Sequence, residues 1–233
     1  ATTRAVTTMA EHAEAHDDAH GHGEPRHPRL QHHFQDMRTQ QHAARLGMWL
    51  FLATEILLFG GLFCAYSYYR NLYPEAWKEC SKHLNRPFGL LETFDLITSS
   101  FTMVMAIHFT RIGRKNLSVL FLLATAAMGF GFLGLHGYEY YHEWLEGALP
   151  GKYFHFEEVT ATGAPMFYAV YFLMTGLHSA HVFIGAAVLL VLTFFTARGE
   201  YDASYDHPLD LGGLYWHLVD LIWIFLFPLL YLV

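Results

Sequence analysis

Five apolar stretches, at positions 46–69, 90–110, 117–138, 164–195 and 211–233, constrain this chain more than any other feature. Each is near or above the roughly 20 residues that a helix needs to cross a bilayer. Inside hydrocarbon the backbone must satisfy its own hydrogen bonds, so a span is either a helix or a strand of a closed barrel. Barrel strands are shorter and alternate apolar with polar residues, a pattern these continuous runs do not show. The expectation is an all-α polytopic membrane protein: a five-helix transmembrane bundle preceded by a disordered or extended tail. The stretch at 164–195 exceeds one bilayer crossing and is expected to tilt or to extend past the surface. Composition agrees, with 53% hydrophobic and only 15% charged residues, against about a quarter charged in soluble domains. The formal charge of -7 comes mainly from loops and tail and gives no support to nucleic-acid binding.

Two regions follow, a polar tail at 1–45 and a membrane domain at 46–233. The tail carries His12, His16 and His20 at helical spacing, then His22, His27, His32, His33 and His42. It reads as a low-complexity segment with weak capacity for divalent metal, since nothing in it fixes a coordination geometry. The first apolar run arrives only near residue 46, which argues against a secretory signal at the start. Cys64 and Cys80 are too few for a metal or disulfide framework and are expected to be unpaired.

Five crossings place the termini on opposite sides. Arg26, Arg29, Arg38, Arg45, Arg111, Arg114, Lys115 and Arg198 fall on one side, and Arg70, Lys78, Lys82, Arg86 and Lys152 on the other. The excess of basic residues predicts a cytoplasmic N-terminus and a periplasmic C-terminus. The connection at 138–162, with Glu139, Glu143, Glu146, Glu157 and Glu158, then reads as an acidic outward loop. Gly131, Gly134 and Gly137 line one flank of the third span, and Gly176 with Ala180 forms a small-xxx-small pair on the fourth. Small residues of this kind let membrane helices approach closely. Tyrosines at 66, 68, 69, 138, 140 and 141, with Trp144, crowd the span ends as an interfacial belt would.

Polar groups within the spans are the candidate functional residues. Glu55 lies nine residues into "LGMWLFLATEILLFGGLF", about 14 Å along the axis at helical rise. An acidic residue at a span centre costs roughly 2.5–3.5 kcal/mol on insertion scales. Its own helix offers it only Phe51, Leu52, Leu58 and Phe59. In "TGLHSAHVFIG", His178 and His181 share a helix face, and in "YWHLVDLIW" His217 and Asp220 have the same spacing. These four suit either interhelical hydrogen bonding between the last two spans or proton handling. A redox metal is not expected, because the pairs lie near span ends and no cysteine joins them. Arg45, Arg198 and His207 are candidates for lipid headgroups at the basic side.

The stretches "LGMWLFLATEILLFGGLFCAYSYY", "TSSFTMVMAIH", "YFLMTGLHSAHVFIGAAVLL" and "GGLYWHLVDLIWIFLFPLLYL" resemble, in order, subunit III of the haem–copper terminal oxidases. The likeness covers about residues 45–233 and omits the tail. It implies an accessory, non-redox subunit beside a catalytic subunit I, with subunit II and a subunit IV as further partners, and membership of a respiratory supercomplex as a further possibility. Haem a and copper would sit in those partner chains, and this chain would bind phospholipid. Its role would be to stabilise the catalytic subunit and assist proton uptake during O2 reduction and proton pumping. The resemblance maps the family's membrane glutamate onto Glu55, its histidine pair onto His178 and His181, and its "WH–VD" segment onto His217 and Asp220. Two spans of the mitochondrial form are missing, so the resemblance is to the five-helix bacterial form, in the bacterial inner membrane. The expected complex is an aa3-type cytochrome c oxidase. A quinol oxidase or a subunit associated with nitric oxide reductase is the alternative, and a metal transporter a distant one.

Overall fold

The computed structural model describes residues 30, 34–150, 154–155, 159, 161–203 and 205–233. The histidines at 12, 16, 20, 22, 27, 32 and 33, Arg26, Arg29, Lys152, Glu157 and Glu158 lie outside the described residues. Among the described residues six helices follow one another: α1 (Met37–Leu72), α2 (Pro74–His83), α3 (Arg86–Arg111), α4 (Lys115–Leu145), α5 (Ala164–Arg198) and α6 (His207–Tyr231). All except α2 are long and apolar enough to cross a membrane, and no strand occurs among the described residues. The chain divides into a small unit ending at Leu46 and a main unit from Gly47 to Val233. In the small unit, the Asp36 carboxylate accepts the Thr39 N–H at 2.6 Å, satisfying an orphan donor of the first turn of α1. The Thr39 side chain, and then this backbone bond, hold the Asp36 carboxyl below its usual range.

In the main unit α3, α4, α5 and α6 form a closed four-helix ring, each packed against the next and α6 returning to α3. Prolines at 74, 87, 165 and 208 sit in the first turns of α2, α3, α5 and α6, where a missing N–H costs nothing. Hydroxyls stitch α3 to α4, through Thr102–Thr125 at 2.8 Å and Thr110–Ser118 at 2.6 Å. The α6 indoles reach back to α3: Trp216 donates to Ser99 Oγ at 2.9 Å and Trp223 to Thr93 Oγ1 at 3.1 Å. Trp216 fits because Gly129 of α4 has no side chain; a Cβ there would lie 2.6 Å from the indole.

The expected glycine flank is corrected. Nothing lies within 4 Å of where Cβ atoms would stand at Gly134 and Gly137, and Gly131 meets only Asp95 Oδ2 at 3.9 Å. The close approaches come from Gly89, Gly129, Gly185, Gly212 and Gly213 instead. Gly89, Gly129 and Gly185 make room for the large aromatics of α6, while Gly212 and Gly213 on α6 itself admit Leu192 of α5 and Ile107 of α3.

Helix α1 is attached differently. Its backbone packs less closely against the ring than the ring helices pack against one another, and long side chains hold it. Phe51 stacks with Tyr215, Phe59 meets His181 edge-on, Phe63 meets Phe225, and Tyr66 packs on Trp77. Tyr66 also donates to the Leu229 carbonyl. Residues Trp49, Leu50, Ile56, Leu57 and Leu58 remain exposed, as suits a lipid-facing or subunit-facing helix. The short α2 buries Ala76, Trp77, Cys80 and Ser81 on one face across the end of the ring, against α5 and α6. Ser81 Oγ donates to the terminal Val233 carbonyl at 2.8 Å, so two orphan carbonyls near the α6 C-terminus gain side-chain donors. Both cysteines are free, Cys64 exposed and Cys80 buried.

Candidate functional site

The partner that Glu55 lacks on its own helix comes from α5. His181 Nε2 lies 2.8 Å from Glu55 Oε2, with both side chains 14% exposed. The imidazole is oriented from its other side, where Nδ1 lies 2.7 Å from the Leu177 carbonyl. A carbonyl only accepts, so Nδ1 must carry its hydrogen. A hydrogen bond between Nε2 and Oε2 then requires one further proton between them. It sits either on the imidazole, giving an ion pair, or on the carboxyl, giving a neutral pair. Both arrangements keep the hydrogen bond and differ only in charge separation. Phe59 covers the ring edge at a centroid distance of 5.3 Å. Tyr215 of α6 donates to the His181 carbonyl at 3.0 Å, tying the pair to a third helix.

The other sequence candidates separate. His178, one turn earlier on α5, is fully buried and stacks on Trp223 at 5.0 Å, with Phe132 edge-on at 5.4 Å. Neither of its ring nitrogens is hydrogen-bonded, so no hydrogen bond joins it to His181. His217 Nδ1 lies 2.5 Å from Ser100 Oγ, which joins α6 to α3 and not to α5. Asp220 is buried beside Ser100, yet neither carboxylate oxygen makes a well-formed hydrogen bond. No Asp–His dyad forms at this spacing. Among the described residues Tyr215, which carries no signal of this role in the sequence, joins α6 to α5 beside the pair, and Tyr231 meets the Tyr171 hydroxyl at 3.4 Å further along.

In the small unit Arg45 is exposed on α1; the other headgroup candidates lie in the main unit. The Arg198 guanidinium sits 4.8 Å above the Phe194 ring. His207 is only 8% exposed, largely withdrawn from a headgroup. The dominant feature there is Arg111 at the end of α3, bonded to Asp206 at 2.5 Å and to both Asp210 oxygens at 2.7 Å. This bracket closes the ring between α3 and α6.

The acidic loop expected at 138–162 is also corrected. Helix α4 continues to Leu145 and buries Glu139 and Glu143, each 3% exposed. Glu139 Oε2 accepts from Tyr231 at 2.7 Å. One turn before it, His136 is 2% exposed, and Glu92 of α3 is fully buried opposite. His136 Nδ1 lies 3.4 Å from Glu92 Oε1 and 3.6 Å from Glu139 Oε2. Sequence reading passed over Glu92 and His136. The signal was present in the i, i+3 spacing of His136 and Glu139, but it straddled the assumed end of a span.

A ring of four packed spans, a fifth held outside it by a glutamate–histidine pair, and a short helix across one end define a polytopic membrane subunit. A sequence model of the family described as "Cytochrome c oxidase subunit III" matches residues 30–233, a range that spans all the described residues. The chain is 30% identical over 201 residues to the "Probable quinol oxidase subunit 3" of Staphylococcus haemolyticus, covering 85% of this chain and 93% of that protein. The protein of the same description from Staphylococcus saprophyticus is 30% identical over 189 residues, 81% of this chain and 88% of its own length. That of Staphylococcus aureus is 29% identical over 201 residues, 85% and 93% respectively. The chain belongs to the cytochrome c oxidase subunit III family, as an oxidase subunit III that associates with other oxidase subunits.

Proposed function

We propose that this chain is the accessory subunit III of a quinol-oxidising haem–copper terminal oxidase. The observation that carries the choice of donor is the description shared by the relatives, which are probable quinol oxidase subunits. The aa3-type cytochrome c oxidase expected from the sequence is the second reading, favoured by the description of the family. Haem and copper reside in the partner chains, with subunit I as the main contact and subunit II beside it. The N-terminus faces the cytoplasm, as the distribution of basic residues supports.

In that complex the chain braces the catalytic subunit and holds a proton near mid-membrane. The Glu55–His181 pair supports this role because it keeps one proton in either of two positions without losing its hydrogen bond. Phospholipid binding is supported by an apolar opening of about 340 Å³, lined by Met48, Phe51, Ile184, Val188, Leu211 and Tyr215. It lies where α1 stands away from α5 and α6, and its apolar lining suits an acyl chain. O2 consumption by the purified complex tests the donor. Turnover with a reduced quinol but not with reduced cytochrome c is expected; the opposite preference would establish the second reading.

A further inference from the structure

Glu92, His136 and Glu139 bring three ligand atoms within 4.8 Å of one another in the interior of the α3–α4 pair. Each side chain is 3% exposed or less. Both Glu92 oxygens, Glu139 Oε1 and both His136 nitrogens lack a hydrogen-bond partner. Unpaired polar atoms at this depth require an explanation, because buried polar groups are almost always satisfied.

The spacing supplies one. Ligands about 2.0–2.2 Å from zinc at tetrahedral angles stand about 3.3–3.6 Å apart. The Nδ1–Oε1 and Nδ1–Oε2 separations are 3.4 and 3.6 Å. Two carboxylates and a neutral imidazole carry two negative charges, which a divalent cation cancels. That is the electrostatic condition for keeping both acids ionised inside a membrane protein. Tyr231 already donates to Glu139 Oε2, as an outer partner that fixes a ligating carboxylate. A cavity of about 150 Å³ leads toward the triad from the α2 end, with His83, His142, Glu139 and Glu143 on its wall. Glu143 Oε2 is likewise buried and unpaired, a further anionic step on the way in.

We propose that Glu92, His136 and Glu139 bind one Zn2+ ion, with water from this cavity completing four-coordination. The ion is structural. It locks α3 to α4 near the end that α2 covers and undergoes no redox change.

Zn2+ itself is the probe. The intact purified complex is stripped with chelator, exposed to Zn2+, passed through a desalting column and assayed for metal per chain. Wild type is expected to exceed both Glu92→Gln and Glu139→Gln by one zinc per chain. Each variant is expected to bind that ion at least about tenfold more weakly, since even losing an outer partner costs about 10–100-fold. All three proteins carry the His-rich tail, so zinc on the tail cancels in the difference. Equal zinc in wild type and both variants would overturn the site. If the variants do not assemble, X-ray absorption on the wild type decides. One imidazole with oxygens at about 2.0 Å supports the triad; a shell of several imidazoles, or no zinc, overturns it.

Discussion

At the scale of single residues, Glu55 shows what the sequence reveals and what it hides. That a carboxyl stood in an apolar span was plain from the letters, and its cost made it a functional candidate. Its partner was not, because His181 lies 126 positions away and is spaced to suggest a pairing with His178. The backbone carbonyl of Leu177 decides the chemistry by fixing the hydrogen on Nδ1. Glu55→Gln therefore retains a bond to Nε2 through the amide N–H but removes the shared proton. The complex is expected to assemble with unchanged haem absorbance and with an altered turnover lifetime, followed as O2 consumption over many turnovers. Glu55→Leu leaves Nε2 unpaired at a cost of about 1–3 kcal/mol. A lower thermal midpoint of the solubilised complex than for Glu55→Gln checks this. Gly163 makes a sharper case at the start of α5. Its φ of +108 and a Tyr73 ring 2.5 Å from the would-be Cβ make Gly163→Ala strained and crowded. Melting of that variant is expected to begin earlier by about 1–3 kcal/mol of stability.

At the scale of helices, the five spans were legible because hydropathy and length are strong signals, and their centres match. The ends were not. Helix α1 begins at Met37 and α4 continues to Leu145, because amphipathic turns with tyrosine, glutamate and histidine read as loop when only apolarity is scored. Helix α2 was missed for the same reason: it is short and polar outside, with its apolar face on Trp77 and Cys80. That face has a consequence for Cys80, whose thiol is pushed by burial from an ordinary 9.0 up to about 12. A raised folded value means the folded state keeps its proton longer. This contribution to stability is full below about pH 9 and disappears as pH rises toward 12. Only the thiolate attacks a maleimide. At pH 8, Cys80 is expected to resist a water-soluble maleimide in the native complex and to react once the protein is denatured. Rapid native labelling would mean that α2 does not cap the ring.

At the scale of the whole molecule, the fold separates a tightly packed ring from a loosely held helix, and the polar groups divide accordingly. The Glu55–His181 pair bridges the ring to α1, beside an apolar opening suited to lipid. The Glu92, His136 and Glu139 cluster lies inside the ring. The described residues leave the outer face of α1 and the open Gly134–Gly137 flank uncovered, as befits a subunit of a larger assembly. The central claim is that this chain works as subunit III beside a haem-bearing subunit. Isolating it through an affinity tag under mild detergent, and recording the reduced-minus-oxidised spectrum of what accompanies it, tests that claim most directly. The account predicts a large multi-span partner and haem absorbance in fixed proportion to this chain. Recovery of the chain by itself, without haem, from membranes whose oxidase remains intact would contradict it.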